Sequence, residues 1–189
     1  MKKIAIIGPE STGKSTLCEQ LALHFKTAWV PEYAREYLLT HGTNYSYEDL
    51  LTIAKGQLNL EDEITSDVMR MKLPTGWEEQ IIFIDTEMYV MKVWCEFVFQ
   101  KCHHFILDKI VERRYDLYLL CNIDLPWTHD PLREYPDKEP REQLFRMYED
   151  ILINQQTPWV EISGGYEQRF NTAVSSINAI LFPGKQVPE

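Results

Sequence analysis

The sequence predicts an α/β fold in which a five-stranded parallel sheet carries helices on both faces. Three observations predict it. Short apolar runs at 3–7, 28–31, 81–85, 115–121 and 159–162 read as strands. Between them, apolar residues recur at helical spacing, as in Leu17, Leu21 and Phe25 or in Leu50, Ala54 and Leu58, so strands alternate with helices and pair in parallel. The first strand runs directly into Gly8-Pro9-Glu10-Ser11-Thr12-Gly13-Lys14-Ser15, a glycine-rich turn that opens a helix.

That turn has the spacing Gly, any four residues, Gly, Lys, Ser. Gly8 and Gly13 let the backbone bend so that successive N–H groups point inward around a phosphate, and the helix beginning near Lys14 adds the positive end of its dipole. Lys14 is expected to reach the β- and γ-phosphates of a nucleoside triphosphate, and Ser15 to offer its hydroxyl to Mg²⁺. Gly8 to Ser15 together with Thr16 are therefore the expected donor-binding residues, and the fold is a P-loop NTPase or kinase fold.

The second strand ends at Pro31, and a helix starts at Glu32-Tyr33-Ala34-Arg35-Glu36-Tyr37 with Gly42 as its stop. Glu32 then lies just past a strand's C-terminal end, where open α/β sheets carry ligands, with Arg35 and Glu36 on the same helical face. A carboxylate favouring the helix dipole is the competing reading of Glu32. Ser46-Tyr47-Glu48-Asp49 is a capping-box pattern opening a helix that runs to about Lys72, and Pro74-Thr75-Gly76 breaks the chain.

Ile81-Ile82-Phe83-Ile84-Asp85 is an apolar strand ending in an acid, 70 residues beyond Ser15; Asp85 is expected to help hold Mg²⁺. Glu87 would face the same way if the strand continued. A helix carrying Tyr89, Trp94, Phe97 and Phe99 follows. The fourth strand ends in Asn122-Ile123-Asp124, without the lysine of the guanine-reading element.

Residues 127–141 hold three prolines and many charges, which predicts an exposed, movable lid, with Arg133 and Arg141 as its phosphoryl-binding cations. A helix over 142–155, the last strand and a final helix over 167–181 complete the chain. The turn after the last strand offers Gly164, Gly165 and Arg169 as adenine contacts.

Composition narrows the partners. A net charge of −10 leaves no basic surplus to neutralise nucleic-acid or anionic-membrane phosphates. The four cysteines form neither a metal-binding nor a disulfide framework, and Cys102-His103-His104 has no matching cluster. Met1-Lys2-Lys3 leads into too short an apolar run for a secretory leader, and no run spans a membrane, so a cytoplasmic location is expected. With 189 residues, no internal repeat and no linker, residues 1–189 read as a single kinase domain with its lid at about 127–141.

Taken together, Gly8–Ser15, Glu32-Tyr33-Ala34-Arg35-Glu36, Phe83-Ile84-Asp85-Thr86-Glu87, Trp127-Thr128-His129-Asp130-Pro131-Leu132-Arg133 and the late Ser163-Gly164 with Arg169 resemble the nicotinamide riboside kinase domain of the bacterial NadR proteins. The resemblance covers nearly the whole chain. It implies ATP and Mg²⁺ as cofactors, a small-molecule riboside as acceptor and phosphorylation of its ribosyl 5′-hydroxyl to give nicotinamide mononucleotide. Here Glu87 stands where the family typically has Asp, and Trp29 precedes Pro31 where the family has its tryptophan beside the Glu-Tyr pair.

In the expected mechanism the loop amides and Lys14 hold the triphosphate, Ser15 and Asp85 the metal, and Glu32 or Asp85 accepts the hydroxyl proton. Glu32 is favoured because Asp85 is occupied with the metal. A fixed pyridinium charge calls for acids and rings: Glu32, Glu36 and Glu87, with Trp29, Tyr33 and Trp94. Another kinase of the same fold, or a regulatory ATPase without an acceptor, are the remaining readings.

Overall fold

In the computed structural model, which describes residues 1–73 and 79–184, five strands are interleaved with seven helices, one or two after each strand. The expected break at Pro74-Thr75-Gly76 lies outside the described residues. The strands are β1 (Lys2–Ile7), β2 (Trp29–Val30), β3 (Ile81–Asp85), β4 (Leu117–Cys121) and β5 (Trp159–Ile162). They pair in the order β2-β3-β1-β4-β5, every pairing parallel, with Lys2 beside Ile81 and Ile4 beside Leu117. The helices are α1 (Lys14–His24), α2 (Tyr33–His41), α3 (Tyr47–Arg70), α4 (Met88–Phe99), α5 (His104–Glu112), α6 (Lys138–Ile153) and α7 (Tyr166–Leu181).

Strand alternation divides β1 between two cores. Ile4 and Ile6 pack with Leu17 and Leu21 of α1, with Phe25 just beyond it and with Ala173 and Ile177 of α7. Ala5 and Ile7 face the other way, onto Val68 of α3, Val90 and Val93 of α4, and Leu144, Tyr148 and Leu152 of α6. A third cluster, around Leu50, Ile53, Met88, Met91 and Ile106, joins α3, α4 and α5 on the second face. Both faces of the sheet are thereby covered, as a parallel sheet requires.

Local signals account for most boundaries. Ser46 caps α3 by accepting from the Asp49 amide while the Asp49 side chain accepts from the Ser46 amide. Gly42 ends α2 with φ 90°. Two boundaries differ from expectation. The sequence reading has no α5, and His103-His104 turn out to be its opening: the His103 ring stacks on Tyr47 and meets the Tyr47 carbonyl at 2.9 Å. Helix α6 begins at Lys138 rather than 142, because Pro140 falls in its first turn, where no intrahelical N–H is needed. Among the described residues no helix is long and apolar enough to cross a membrane, and no group of three or more His, Cys, Asp or Glu side chains could hold a metal.

Candidate active site

The C-terminal edge of the sheet opens into a cleft of about 480 Å³. One wall is the loop from Gly8 to Ser15, continued by Thr16. Gly8 has φ +138°, and a Cβ there would lie 2.6 Å from the Cys121 carbonyl oxygen, so only glycine lets the loop leave β1 against β4. Thr12 is buried and closes the loop through its hydroxyl, which donates to the Pro9 carbonyl at 2.7 Å. Gly13, at φ 77°, caps α1 without a side-chain bond, so the first amides of that helix are free to meet an anion. Lys14 folds back to donate to the Pro9 carbonyl at 2.9 Å.

Beside the loop, the Ser15 hydroxyl donates to Asp85 Oδ2 at 2.5 Å. Asp85 is wholly buried and its Oδ1 has no hydrogen-bond partner. Burial, opposed by Lys14 and reinforced by the charge of Glu32, pushes its carboxyl up to about 6. The next residue, Thr86, has φ 74°, a strained conformation for a β-branched side chain. That turn of the chain redirects Glu87, which does not continue the strand.

Glu32 is the N-cap of α2 but makes no capping bond, so its carboxylate is free to line the cleft near Asp85. Gln57 holds this pair of acids in place: wholly buried on α3, it donates to the carbonyls of Pro31 (3.2 Å) and Asp85 (3.4 Å) and accepts from the Tyr33 amide (2.8 Å). The sequence reading passed over Gln57. Its signal was a polar residue at an apolar-stripe position of α3, one before Leu58.

The far end of the cleft is aromatic and acidic. Trp94 Nε1 donates to the Tyr45 hydroxyl at 2.8 Å, and that hydroxyl donates to Glu134 Oε2 at 2.9 Å. The Tyr45 and Trp94 rings meet edge to face, 5.0 Å apart. Trp29, Leu38 and Phe97 also line this cleft. Tyr45 and Glu134 were likewise missed, since nothing local in the sequence joins positions 45, 94 and 134.

The segment expected to be a lid crosses the cleft. Arg133 lines it and donates to the Thr128 carbonyl. Asp130 pairs with Arg35 at 2.9 Å, tying the segment to α2; Arg35 holds the Asp130 carboxyl below the usual carboxylate range. Thr128 donates its amide to the Ser11 hydroxyl at 3.1 Å.

Of the expected site residues, the structure brings together the loop residues Gly8, Pro9, Glu10, Ser11, Thr12, Gly13, Lys14, Ser15 and Thr16 with Glu32, Arg35, Asp85, Trp94 and Arg133. Six others stand elsewhere. Glu87 is buried, accepts from the Tyr89 amide at 2.8 Å as the cap of α4, and burial pushes its carboxyl up to about 8. Glu36 is exposed outside the cleft. Tyr33 lies against α3, its ring filling the space that a side chain at Gly56 would need.

Arg141 sits in the first turn of α6 instead of on a loop. It is buried with an unpartnered Nε, and burial pulls its guanidinium below the usual arginine range. Arg169 is also buried, and its donors go to the carbonyls of Gly164 (2.8 Å), Thr12 (3.1 Å) and Asn122 (2.9 Å) and to the Asp124 carboxylate. Gly164 donates its amide to Asp124 at 2.5 Å. Together they brace the turn after β5 against the phosphate loop.

A parallel sheet with strand order β2-β3-β1-β4-β5, a phosphate-binding loop after β1 and an acid at the end of β3 define a P-loop fold. The chain belongs to the family described as an AAA domain, which it matches over residues 3–169. It is 27% identical over 186 residues to the trifunctional NAD biosynthesis/regulator protein NadR of Escherichia coli, and equally to that of Salmonella typhimurium. The match takes in 96% of this chain but 43% of those proteins, so the chain spans less than half their length.

Among solved structures, a NadR protein in complex with NR superposes over the whole chain and 52% of its own, with a TM-score of 0.75 at 21% identity. Deoxyadenosine kinase from M. mycoides with bound dATP matches 94% of the chain and all of its own at TM-score 0.62 and 12% identity. Thymidylate kinase from Ehrlichia chaffeensis matches 93% of the chain and 98% of its own at TM-score 0.64 and 12% identity. The five-stranded sheet and its helices are thus those of the P-loop nucleoside and nucleotide kinases.

Proposed function

We propose that this chain transfers the γ-phosphoryl group of ATP to the 5′-hydroxyl of nicotinamide riboside, giving nicotinamide mononucleotide. The observation that carries the reading is one cleft with a phosphate loop at one end, an acid-aromatic wall at the other, and the free carboxylate of Glu32 between them. Similarity to NadR along nearly the whole chain supports the same acceptor.

The donor set suits Mg²⁺. A buried Asp85 with one unpartnered oxygen and the adjoining Ser15 hydroxyl are hard oxygen ligands of the kind that cation takes. When bound, the ion neutralises charge on the β- and γ-oxygens. Ser15 and Asp85 would hold it. The loop amides cradle the phosphates, and Lys14 exchanges the Pro9 carbonyl for a phosphate oxygen. Glu32 takes the proton of the attacking hydroxyl, since Asp85 accepts from Ser15 and would hold the metal. Arg133 stabilises the charge of the transferring group from the lid.

A riboside with a fixed pyridinium charge gains by lying against Trp94 and Tyr45 with the Glu134 carboxylate near, where a cation over a ring is worth about 0.5–2 kcal/mol. A neutral riboside forgoes that gain. The experiment is ATP consumption against nicotinamide riboside, its neutral reduced form, uridine and cytidine, with a control lacking any riboside. Preference for nicotinamide riboside in kcat/KM by about tenfold supports the acceptor. Equal use of a neutral nucleoside leaves another kinase of this fold, and riboside-independent ADP formation leaves a regulatory ATPase.

A further inference from the structure

The phosphate loop carries a carboxylate that the phosphates cannot use. Glu10 occupies one of the four variable positions of the loop, among groups arranged for an anion, and lines the cleft. Both its oxygens are taken up by the lid. Oε1 accepts from Trp127 Nε1 at 3.3 Å and from the Tyr135 amide at 2.8 Å, while Oε2 accepts from the Glu134 amide at 2.9 Å. The donors come from the two ends of the stretch 127–135, so a single carboxylate gathers the loop that carries Arg133 and closes it into a ring. The Ser11 hydroxyl, next in the phosphate loop, accepts from Thr128 on the same stretch.

Two further bonds make the ring a span across the cleft. Asp130, at its tip, pairs with Arg35 of α2, and Glu134 accepts from Tyr45 on the acceptor side. The lid is therefore fastened to donor and acceptor walls together, and the donor-side fastening is mostly Glu10. Charge-assisted bonds to backbone amides are stronger than neutral ones and fix direction as well as distance.

We infer that Glu10 is a positioning residue: it latches the lid to the phosphate loop, thereby aiming Arg133 at the transferring group and keeping water from competing with the acceptor. The inference rests on the kinase reading for its consequence, though not for its geometry. With the latch in place, the bond between the γ-phosphorus and the β–γ bridging oxygen breaks as the acceptor oxygen bonds to phosphorus, and the acceptor proton goes to Glu32. With the latch gone, a water oxygen takes the acceptor's place, so that ATP and water give ADP, inorganic phosphate and a proton.

The test compares wild type with Glu10→Ala, Glu10→Gln and Trp127→Phe. In Glu10→Ala the share of ATP lost to hydrolysis, measured with riboside present, should rise by about tenfold or more, with kcat for transfer falling and the ATP KM unchanged or lower because a negative charge has left the loop. Glu10→Gln keeps one accepting oxygen for Trp127 and Tyr135 but cannot accept from Glu134 through its nitrogen, so it should fall between. Trp127→Phe removes one donor without touching the loop and should shift the same ratio in the same direction, less far. An unchanged ratio of transfer to hydrolysis in all three variants overturns the inference.

Amide hydrogen exchange on the ligand-free chain reads the latch independently of any activity. The Glu134 and Tyr135 amides should exchange at least about tenfold faster in Glu10→Ala, while amides of β1 and β3 keep their rates and so report an intact fold. Unchanged exchange at 134 and 135 also overturns it. If wild type consumes no ATP in response to a riboside, the kinase reading fails by itself, and the exchange result still decides the latch.

Discussion

The two ends of the cleft are built in opposite ways. At the phosphate-loop end, eight consecutive residues form the wall, and most of what they offer is backbone: glycine conformations, free amides at the start of α1, and the Thr12 hydroxyl closing the loop onto Pro9. At the aromatic end, Tyr45 from the loop before α3, Trp94 from α4 and Glu134 from residues 127–135 meet through side chains alone. Sites made of consecutive backbone tolerate loss of a side chain in binding while losing chemistry. Sites made of distant side chains lose recognition first. The variants below test that contrast.

Lys14→Ala should have the largest effect, lowering kcat by about 10³-fold or more because the γ-phosphate loses its fixed cation. ATP affinity should fall far less, since the amides remain; calorimetric titration with ATP beside steady-state turnover separates the two. Comparable losses in both would mean that the backbone does not carry binding.

Next comes Glu32→Gln, which keeps shape but removes the proposed base, and should reduce kcat by roughly 10²–10⁴-fold. Asp85→Asn should instead alter the Mg²⁺ concentration dependence. The reverse pattern in a Mg²⁺ titration would exchange their roles.

At the acceptor end, Tyr45→Phe strips both Trp94 and Glu134 of a partner. The KM for the riboside should rise by about tenfold with kcat nearly kept, in line with the loss of two polar contacts. A fall in kcat at constant KM would show that the acceptor wall acts on the chemistry.

The smallest functional effect belongs to Glu87→Gln, which should leave both kinetic constants within about twofold, because Glu87 is a buried helix cap that does not line the cleft. Its signature is pH-dependent stability. The folded-state carboxyl is pushed up to about 8 from an ordinary value of 4.5. Between those values the unfolded chain binds fewer protons, so the wild-type fold loses stability as pH rises through that window. Melting temperatures at pH 6 and 8.5 should show a slope of a few degrees, about what one or two kcal/mol moves a domain of this size, and Glu87→Gln should flatten it. An equal slope in both proteins would place the titrating group elsewhere.

Why some of this was legible in the sequence follows from the same contrast. The loop from Gly8 to Ser15, the strand Ile81–Asp85 and the strand Trp159–Ile162 stand where the pattern put them, because each depends on neighbours in the chain. Glu87 departs from expectation because strand alternation does not hold beyond Asp85: Thr86 turns the chain at positive φ, and Glu87 is buried. Arg141 misled because Pro140 was read as loop, although a proline is at home in a first helical turn. Arg169 is a late arginine beside glycines, yet it serves the loop's shape by binding the Thr12 carbonyl. Gln57, Tyr45 and Glu134 act through partners at least 24 positions away, and no window of sequence brings those partners together.

The strand order has a further consequence, for the way the protein is made. Strand β1 lies at the centre of the sheet, yet its neighbours are β3 and β4, so it finds no pairing partner until residues near 81 have been synthesised and is flanked on both sides only once 117–121 exist. Strand β2 pairs with β3 alone and waits with it. During translation the phosphate loop therefore hangs from an unpaired apolar strand for most of the first half of the chain, and its glycine turn takes shape only when Cys121 arrives to pack against Gly8. Such long-range parallel pairing makes for slow folding and a nascent strand exposed to aggregation. The phosphate loop thus depends for its shape on a strand from the second half of the chain.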